Sequence, residues 1–220
     1  MNTTYYTENQ TKLLAQFKKK EESFKQILAS EFPVEAESIL QEMHAEFLEL
    51  LPRLPYIGGD KNLLTENLVI AAWFLSLYKI LNKRGHNDDS IGDLCYRIAE
   101  DFVQKQPRWA AKLQGALAGT GLFKMMFRKL SEKSQKREYP GDFVVQFVEG
   151  MEGKFDYGYD FTECGICKLF QTENAGQFAK HMCRIDYLTT SFNGIELIRT
   201  GTIANGADKC DFRFRKMKSN

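Results

Sequence analysis

The chain has almost no excess of charge: 30 Lys and Arg face 29 Asp and Glu in 220 residues, a formal net charge of +1. Such a balance supplies no long-range field to gather a polyanion, which argues against nucleic acid and against an anionic membrane as partners. Long apolar runs are missing too. The most apolar stretch, Leu68 to Leu77, is preceded by Glu66 and Asn67 and followed by Lys79, well short of the ~20 residues that span a bilayer. It reads as a buried helix. Proline is scarce at five residues, while 43% of the chain is hydrophobic and 27% charged, the composition of a folded protein. No basic stretch running into an apolar one is found among the polar and acidic residues Met1 to Glu8, so no secretory signal is expected and the expected compartment is the cytoplasm. An even set of cysteines is also lacking. Cys95, Cys164, Cys167, Cys183 and Cys210 make five, and in a reducing compartment they read as thiols, ligands or core residues before disulfides.

What is present divides into two periods. From Asn9 to about Gln135 the apolar spacing is helical. Leu13, Phe17, Phe24, Ile27 and Leu28 predict a first helix ended by Pro33, and Ile39 to Leu51 a second ended by Pro52 and Pro55. The third, Leu63 to Leu81, is apolar on most of its surface and is therefore expected to be buried on several sides. Asp88 or Asp89 is expected to cap a fourth, and Pro107 to sit in the first turn of a fifth. Gly115, Gly119 and Gly121 would each cost about 1 kcal/mol inside a helix. They predict a helix break or a close approach by another backbone or a ligand, with a further helix from Leu122 to Leu130. Lys124 to Arg137 reads as a solvated helix end and loop.

After Tyr139-Pro140-Gly141 the period becomes two. Asp142 to Val148 predicts a strand covered on both faces, Glu149 to Gly153 a hairpin connection, and Phe155 to Phe161 a half-exposed strand. A helix from about Thr172 to Thr190 follows, then strands Ile195 to Ile203 and Cys210 to Arg215, with Asn205-Gly206 as a hairpin signal between them. The expected fold is α+β, with N-terminal helices packed on a C-terminal four-stranded antiparallel sheet carrying one inserted helix. A single domain is expected over residues 1–220, with a helical portion at residues 1–138 and a strand-bearing portion at residues 139–220.

Chemistry concentrates in the strand-bearing portion, which holds four of the five cysteines. Cys164-Gly-Ile-Cys167 provides two thiols able to reach one zinc or to form a redox couple. Cys183 and Cys210, or His181, are the available further ligands, but no second short Cys pair exists. A thioredoxin-like role would need a parallel βαβ setting. On the predicted helix, at about 100° per residue, Cys183 and Asp186 are surface neighbours on one flank of the Phe178, Met182 and Ile185 stripe, and His181 falls on the other. A Cys183-His181 dyad is thereby disfavoured. Arg199 shares a strand face with Ile195 and Leu197, so its guanidinium needs a carboxylate partner from the protein or a ligand. Cys210 shares a face with Phe212 and Phe214, and core packing explains it as readily as chemistry does. The residues by themselves define neither a cofactor nor a metal.

Glu163-Cys164, Cys183-Arg184-Ile185-Asp186, the run Leu197 to Gly206 and Cys210-Asp211-Phe212-Arg213-Phe214 resemble the L-2-amino-thiazoline-4-carboxylic acid hydrolase family, through motifs covering about the last 60 residues. The resemblance implies opening of a 2-aminothiazoline ring to N-carbamoyl-L-cysteine in a cysteine-forming route. It implies Cys183, Asp186, Cys210 and Glu163 as candidate catalytic groups, with Arg199 and Cys164 at the substrate. Water, or a thiolate of Cys183 or Cys210, would attack the ring carbon. More distantly the layout resembles 4-vinyl reductase domains, which implies a binding or sensory module without turnover, whose pocket Gly115, Gly119, Gly121 and the Leu68 to Leu77 helix would line. The expected partner is a small-molecule substrate or ligand, and self-association into a homo-oligomer stays open.

Overall fold

The computed structural model describes residues 4–217; Met1, Asn2 and Thr3 of the leading segment and residues 218–220 lie outside the described residues. Helices α1 (Tyr5–Glu8), α2 (Gln10–Lys18), α3 (Glu21–Glu31), α4 (Ala36–Leu50), α5 (Thr65–Lys83), α6 (Asp88–Gln104), α7 (Arg108–Leu117) and α8 (Gly121–Ser134) come first. Strands β1 (Val144–Met151) and β2 (Phe155–Glu163), helices α9 (Gly165–Thr172) and α10 (Ala179–Phe192), and strands β3 (Ile195–Ile198) and β4 (Cys210–Lys216) follow. The four strands form one sheet in the order β1-β2-β4-β3 with every pair antiparallel. The fold is α+β, as the two periods imply. No described helix is long and apolar enough to cross a membrane.

Several local expectations are corrected. The predicted first helix is two, α2 and α3, because the chain breaks around Lys19 and Lys20, and the short α1 precedes it. Asn87, not Asp88 or Asp89, caps α6 by accepting the Ser90 N–H. Strand β1 starts two residues late, since the Asp142 carboxylate accepts the Phe143 N–H at 2.7 Å and the Asn62 amide. As an edge strand it is fully buried only at Val144 and Val145, with Phe147 and Val148 half-buried. Its ladder continues through Met151, so the hairpin turn is Glu152-Gly153-Lys154. The single inserted helix is two, joined by a tight turn at Gly176–Phe178.

The core runs across the division near residue 138. Helix α5 is buried on most sides and contributes Leu68, Ala72, Leu75, Leu77 and Leu81, each 0% exposed. Phe143, Leu169, Phe170, Phe178 and Met182 belong to the same apolar cluster as Phe17, Phe47 and Phe74. A second cluster lies between the sheet and α8, where Phe123 meets Tyr157 edge-on and Phe127 stacks on Tyr159. The alternate side chains of the sheet are polar: Asp160 pairs with Arg213 and Lys209, and Glu196 with Arg215. Helices therefore cover one face, and the period of two follows from it.

The glycine-rich segment satisfies both explanations of its composition. A break separates α7 from α8 at residues 118–120, with Gly119 at φ 74°. Within α7, a Cβ on Gly115 would stand 1.9 Å from the Asn193 carbonyl oxygen. Gly115→Ala is expected to destabilise the fold by about 1–3 kcal/mol, read as a lower urea midpoint at unchanged slope.

Acid sensitivity is built into one ion cluster, where Glu173 of the α9–α10 turn meets Arg53 at 2.8 Å and Lys79 at 2.7 Å. Desolvation raises the Glu173 pKa, but the hydrogen bonds from Arg53 and Lys79 outweigh it and hold the carboxyl below its ordinary range. A depressed carboxyl stabilises the fold above its unfolded pKa of ~4 and loses that contribution as pH falls through the folded value. Glu173→Gln is therefore expected to flatten the stability profile below about pH 4, as measured by urea unfolding across pH.

Candidate functional site

Arg199 is the residue at which β3 stops. Instead of the strand expected to reach Ile203, the ladder ends at Ile198, and a loop with a short turn at Ile203–Asn205 leads to β4. The reason is local: the Asp211 carboxylate takes the N–H groups of Thr200 and Gly201 at 2.9 and 2.8 Å, replacing the ladder with a side-chain anchor. Asn205-Gly206 sits in this longer loop and not in a two-residue hairpin.

Released from the strand, the Arg199 side chain is 5% exposed and finds its counter-ion on α10. One guanidinium nitrogen donates to Asp186 Oδ2 at 2.7 Å and another to the Cys183 carbonyl oxygen at 2.6 Å. The guanidinium lies between the rings of Tyr187 and Phe212, 4.9 and 4.8 Å from their centroids. Burial penalises its charge, and the adjacent Asp186 restores it, so its pKa is raised on balance. Asp186 keeps 41% of its side chain exposed. Desolvation by the densely packed surroundings raises its carboxyl, with Arg199 pulling the other way. The part-exposed side chain moderates that rise, because water still reaches it.

The thiols gather around this pair. Cys183 donates to the Ala179 carbonyl one turn earlier, at 3.7 Å, and burial followed by the nearby Asp186 charge pushes its pKa up to about 12. Cys164 and Cys210 are near enough for a charge on either to push it further. Cys210 accepts the Ile203 N–H at 3.2 Å, though burial still raises its pKa. Cys164 caps α9, and its pKa is raised by its hydrogen bond with Cys167 and then by burial. Cys183, Asp186 and Arg199 are thus in direct contact, with Cys164 and Cys210 within electrostatic reach of Cys183. Glu163 is not joined to them: it pairs with Arg137 and Lys168. Native Cys183 is expected to alkylate slowly with iodoacetamide at pH 8 and to react readily only as pH nears its raised pKa, with labelling located by peptide mass.

A cavity of about 520 Å³ adjoins this cluster between α6, α10 and β3, with Arg108, Tyr187, Thr190 and Leu197 in its wall. Tyr187 touches both, carrying Arg199 on its ring, and the Thr190 hydroxyl donates to the Asp186 backbone carbonyl, whereas Cys164, Cys183, Asp186, Arg199 and Cys210 are not themselves in the cavity wall. Arg108 lies over Phe192 and has no ion pair among the described residues. A second cavity of about 670 Å³ lies at the β1–β2 hairpin and the end of β4. Neither is lined by Gly115, Gly119, Gly121 or the Leu68 to Leu77 helix.

The L-2-amino-thiazoline-4-carboxylic acid hydrolase family matches residues 66–214. The chain belongs to this family. No curated protein and no solved structure matches it. The matched span starts in α5, far upstream of the last 60 residues that carry the recognisable motifs. Family membership supports a hydrolase acting on the thiazoline carboxylic acid and a small-molecule substrate.

Against that identity the alternative cysteine readings lose their geometry. Among the described residues no group of three or more His, Cys, Asp and Glu side chains is arranged to hold a metal ion, so the zinc set of Cys164, Cys167, Cys183, Cys210 or His181 is not formed. The Cys164 pair does open a helix, but beside an antiparallel sheet. His181 faces away from the cluster and packs on Gly92 of α6, which leaves no Cys183-His181 dyad. Cys95 is fully buried with its thiol pKa raised by desolvation, an inert core residue. Sequence patterns miss Tyr187 and Arg108. Tyr187 is legible only as the neighbour of Asp186, and Arg108 only once α7 is placed against α10.

Proposed function

We propose that this hydrolase opens a 2-aminothiazoline-type ring bearing a carboxylate, with the cluster around Asp186 as its reacting site. The family match over residues 66–214 carries the reading. The substrate enters the cavity beside Tyr187, where the unpaired Arg108 receives its carboxylate. Asp186 presents its part-exposed carboxylate to a water molecule. The water oxygen attacks the ring carbon between nitrogen and sulfur as Asp186 takes its proton. As the water adds, the C=N electrons move onto the ring nitrogen. The new hydroxyl then becomes the carbonyl and its proton passes to that nitrogen, while the carbon–sulfur bond breaks and Asp186 returns the proton it took to the departing sulfur, leaving a carbamoyl group and a free thiol. Direct attack by Cys183 is disfavoured, since a thiol with pKa about 12 holds a thiolate fraction on the order of 10⁻⁵ at neutral pH. Two of the five N–H groups of Arg199 are committed to Asp186 and the Cys183 carbonyl, and the rings of Tyr187 and Phe212 cover its guanidinium. It acts as a positioning residue and not as the carboxylate binder. Glu163 and the thiols of Cys164 and Cys210 shape the surroundings without touching the reacting atoms. The helical and strand-bearing portions act as one unit, since the apolar cluster crosses between them.

The test is turnover of 2-amino-thiazoline-4-carboxylate, following the ring-opened thiol by mass spectrometry, in wild type, Asp186→Asn and Cys183→Ala. The expected result is loss of about 100-fold or more in Asp186→Asn with substantial activity kept in Cys183→Ala. The reverse order transfers attack to the thiol, and full activity in both removes the site. The cavity itself supports a second reading, a binding module without turnover. Saturable binding of the same compound by an inactive wild-type protein would establish that instead.

A further inference from the structure

The near-neutral charge of the whole chain conceals a strong local asymmetry. Between Trp109 and Arg137 the sequence has seven Lys and Arg against the single acidic Glu132, a net +6, so the rest of the chain carries −5. Arg128 and Arg137 pair with Glu149 and Glu163. Lys112, Lys124, Lys129, Lys133 and Lys136 have no ion pair among the described residues. The same two helices expose large apolar side chains: Trp109 is 71% exposed, Leu113 and Leu117 52%, Leu122 72%, Met125 44% and Met126 41%. Their spacing is ordered. Trp109, Leu113 and Leu117 follow one another at four-residue intervals on α7, and Leu122, Met125, Met126 and Lys129 share a stripe of α8.

A solvent-facing helix normally presents charge, and a buried one hides its apolar side. Here each helix carries both on its exposed side, apolar side chains interleaved with long cationic ones, which is the composition of helices that lie in the lipid interface. Trp sits well at that depth, and Lys stems reach past the apolar layer to place ammonium groups among phosphates. A second copy of this chain is a poor occupant, because two-fold apposition sets one row of unpaired lysines against another.

We propose that the exposed face of α7 and α8 docks this protein on an anionic lipid surface, with Trp109, Leu117, Leu122 and Met126 inserted at headgroup level and the flanking lysines against lipid phosphates. Docking there is independent of the hydrolytic reading. It confines the protein to the membrane surface without a spanning segment.

The chain's two tryptophans make the test direct, since Trp73 is 3% exposed in the core and Trp109 faces solvent. Purified protein is titrated with vesicles of phosphatidylcholine alone or with about 30% phosphatidylglycerol, following tryptophan emission and co-sedimentation. The expected result is binding to the anionic vesicles, with a blue shift that Trp109→Phe abolishes. Leu122→Ser with Met126→Ser, and separately Lys124→Glu with Lys129→Glu, should each weaken binding about tenfold or more, and ~0.5 M salt should do the same. Far-UV circular dichroism checks that the variants fold. Binding to neither vesicle, or equal binding to both, overturns the proposal. So does a dimer in light scattering that the Leu122 and Met126 substitutions convert to monomer, which assigns the face to a second copy. Binding of an acidic amphipathic peptide without vesicle binding overturns it in favour of a protein partner.

Discussion

Arg199→Ala is expected to reduce turnover of the thiazoline substrate by about 100-fold and to destabilise the fold by roughly 1–3 kcal/mol. The guanidinium is 5% exposed and is the cation that pairs with Asp186 across α10 and the end of β3. Its removal leaves a carboxylate without its cation, a Cys183 carbonyl without a donor, and two aromatic rings with a gap between them. Full loss of a buried pair costs more, but the 41% exposure of Asp186 lets water take up part of the deficit. Positioning and mere packing are separable by pH. Without Arg199 the Asp186 carboxyl protonates more readily, so the acidic limb of kcat/KM should move to higher pH, with the loss falling on kcat more than on KM. Arg199→Lys keeps the charge but not the two-pronged geometry; it should restore the limb's position and only part of the rate. An unshifted limb in Arg199→Ala would confine the residue to a structural role.

Phe178→Ala should cost about 3–5 kcal/mol, which for a chain of this size lowers Tm by ~10 °C. Phe178 is 0% exposed and sits at the start of α10, stacked on Tyr78 of α5 at 4.1 Å and beside Phe170 of α9. It ties the helical portion to the segment that carries Cys183 and Asp186. If the two portions unfold together, calorimetry shows one transition in both proteins, displaced in the variant. Two separated transitions would instead divide the chain near residue 138. Phe178→Leu, which fills more of the space, should recover some of the loss.

The elements most legible in the sequence are those whose burial imposes a period. Helix α5, apolar nearly all round, and strands β2 and β4, alternating ring against charge, follow directly from side chains that must reach an apolar cluster. The need of Arg199 for a carboxylate is legible for the same reason, since a cation on an apolar face is too costly alone. Boundaries are less so. They turn on side chains that borrow backbone donors: Asp142 delays β1 by binding the Phe143 N–H, and Asp211 ends β3 by taking those of Thr200 and Gly201. Such competition depends on which carboxylate comes near, and that is decided by packing.

The site shows the same division. Spacing alone makes Cys183 and Asp186 neighbours on one helix flank and turns His181 away, because 100° per residue is a property of the helix itself. Which guanidinium meets Asp186, which rings enclose it, and that Cys164 from the end of β2 and Cys210 from β4 arrive beside Cys183 are set by the sheet order β1-β2-β4-β3. Net charge has the opposite fate. A sum over the chain is fixed by composition, whereas its separation into a cationic, apolar α7–α8 face and a net acidic remainder has physical meaning only when helices have an inside and an outside. The α+β class, the family and the chemistry available are properties of the linear chain, because they rest on residue types and local period. Which of those groups share a site, which are spent on one another, and which apolar surface is left facing out come from tertiary packing, because each depends on segments far apart in the chain meeting in space.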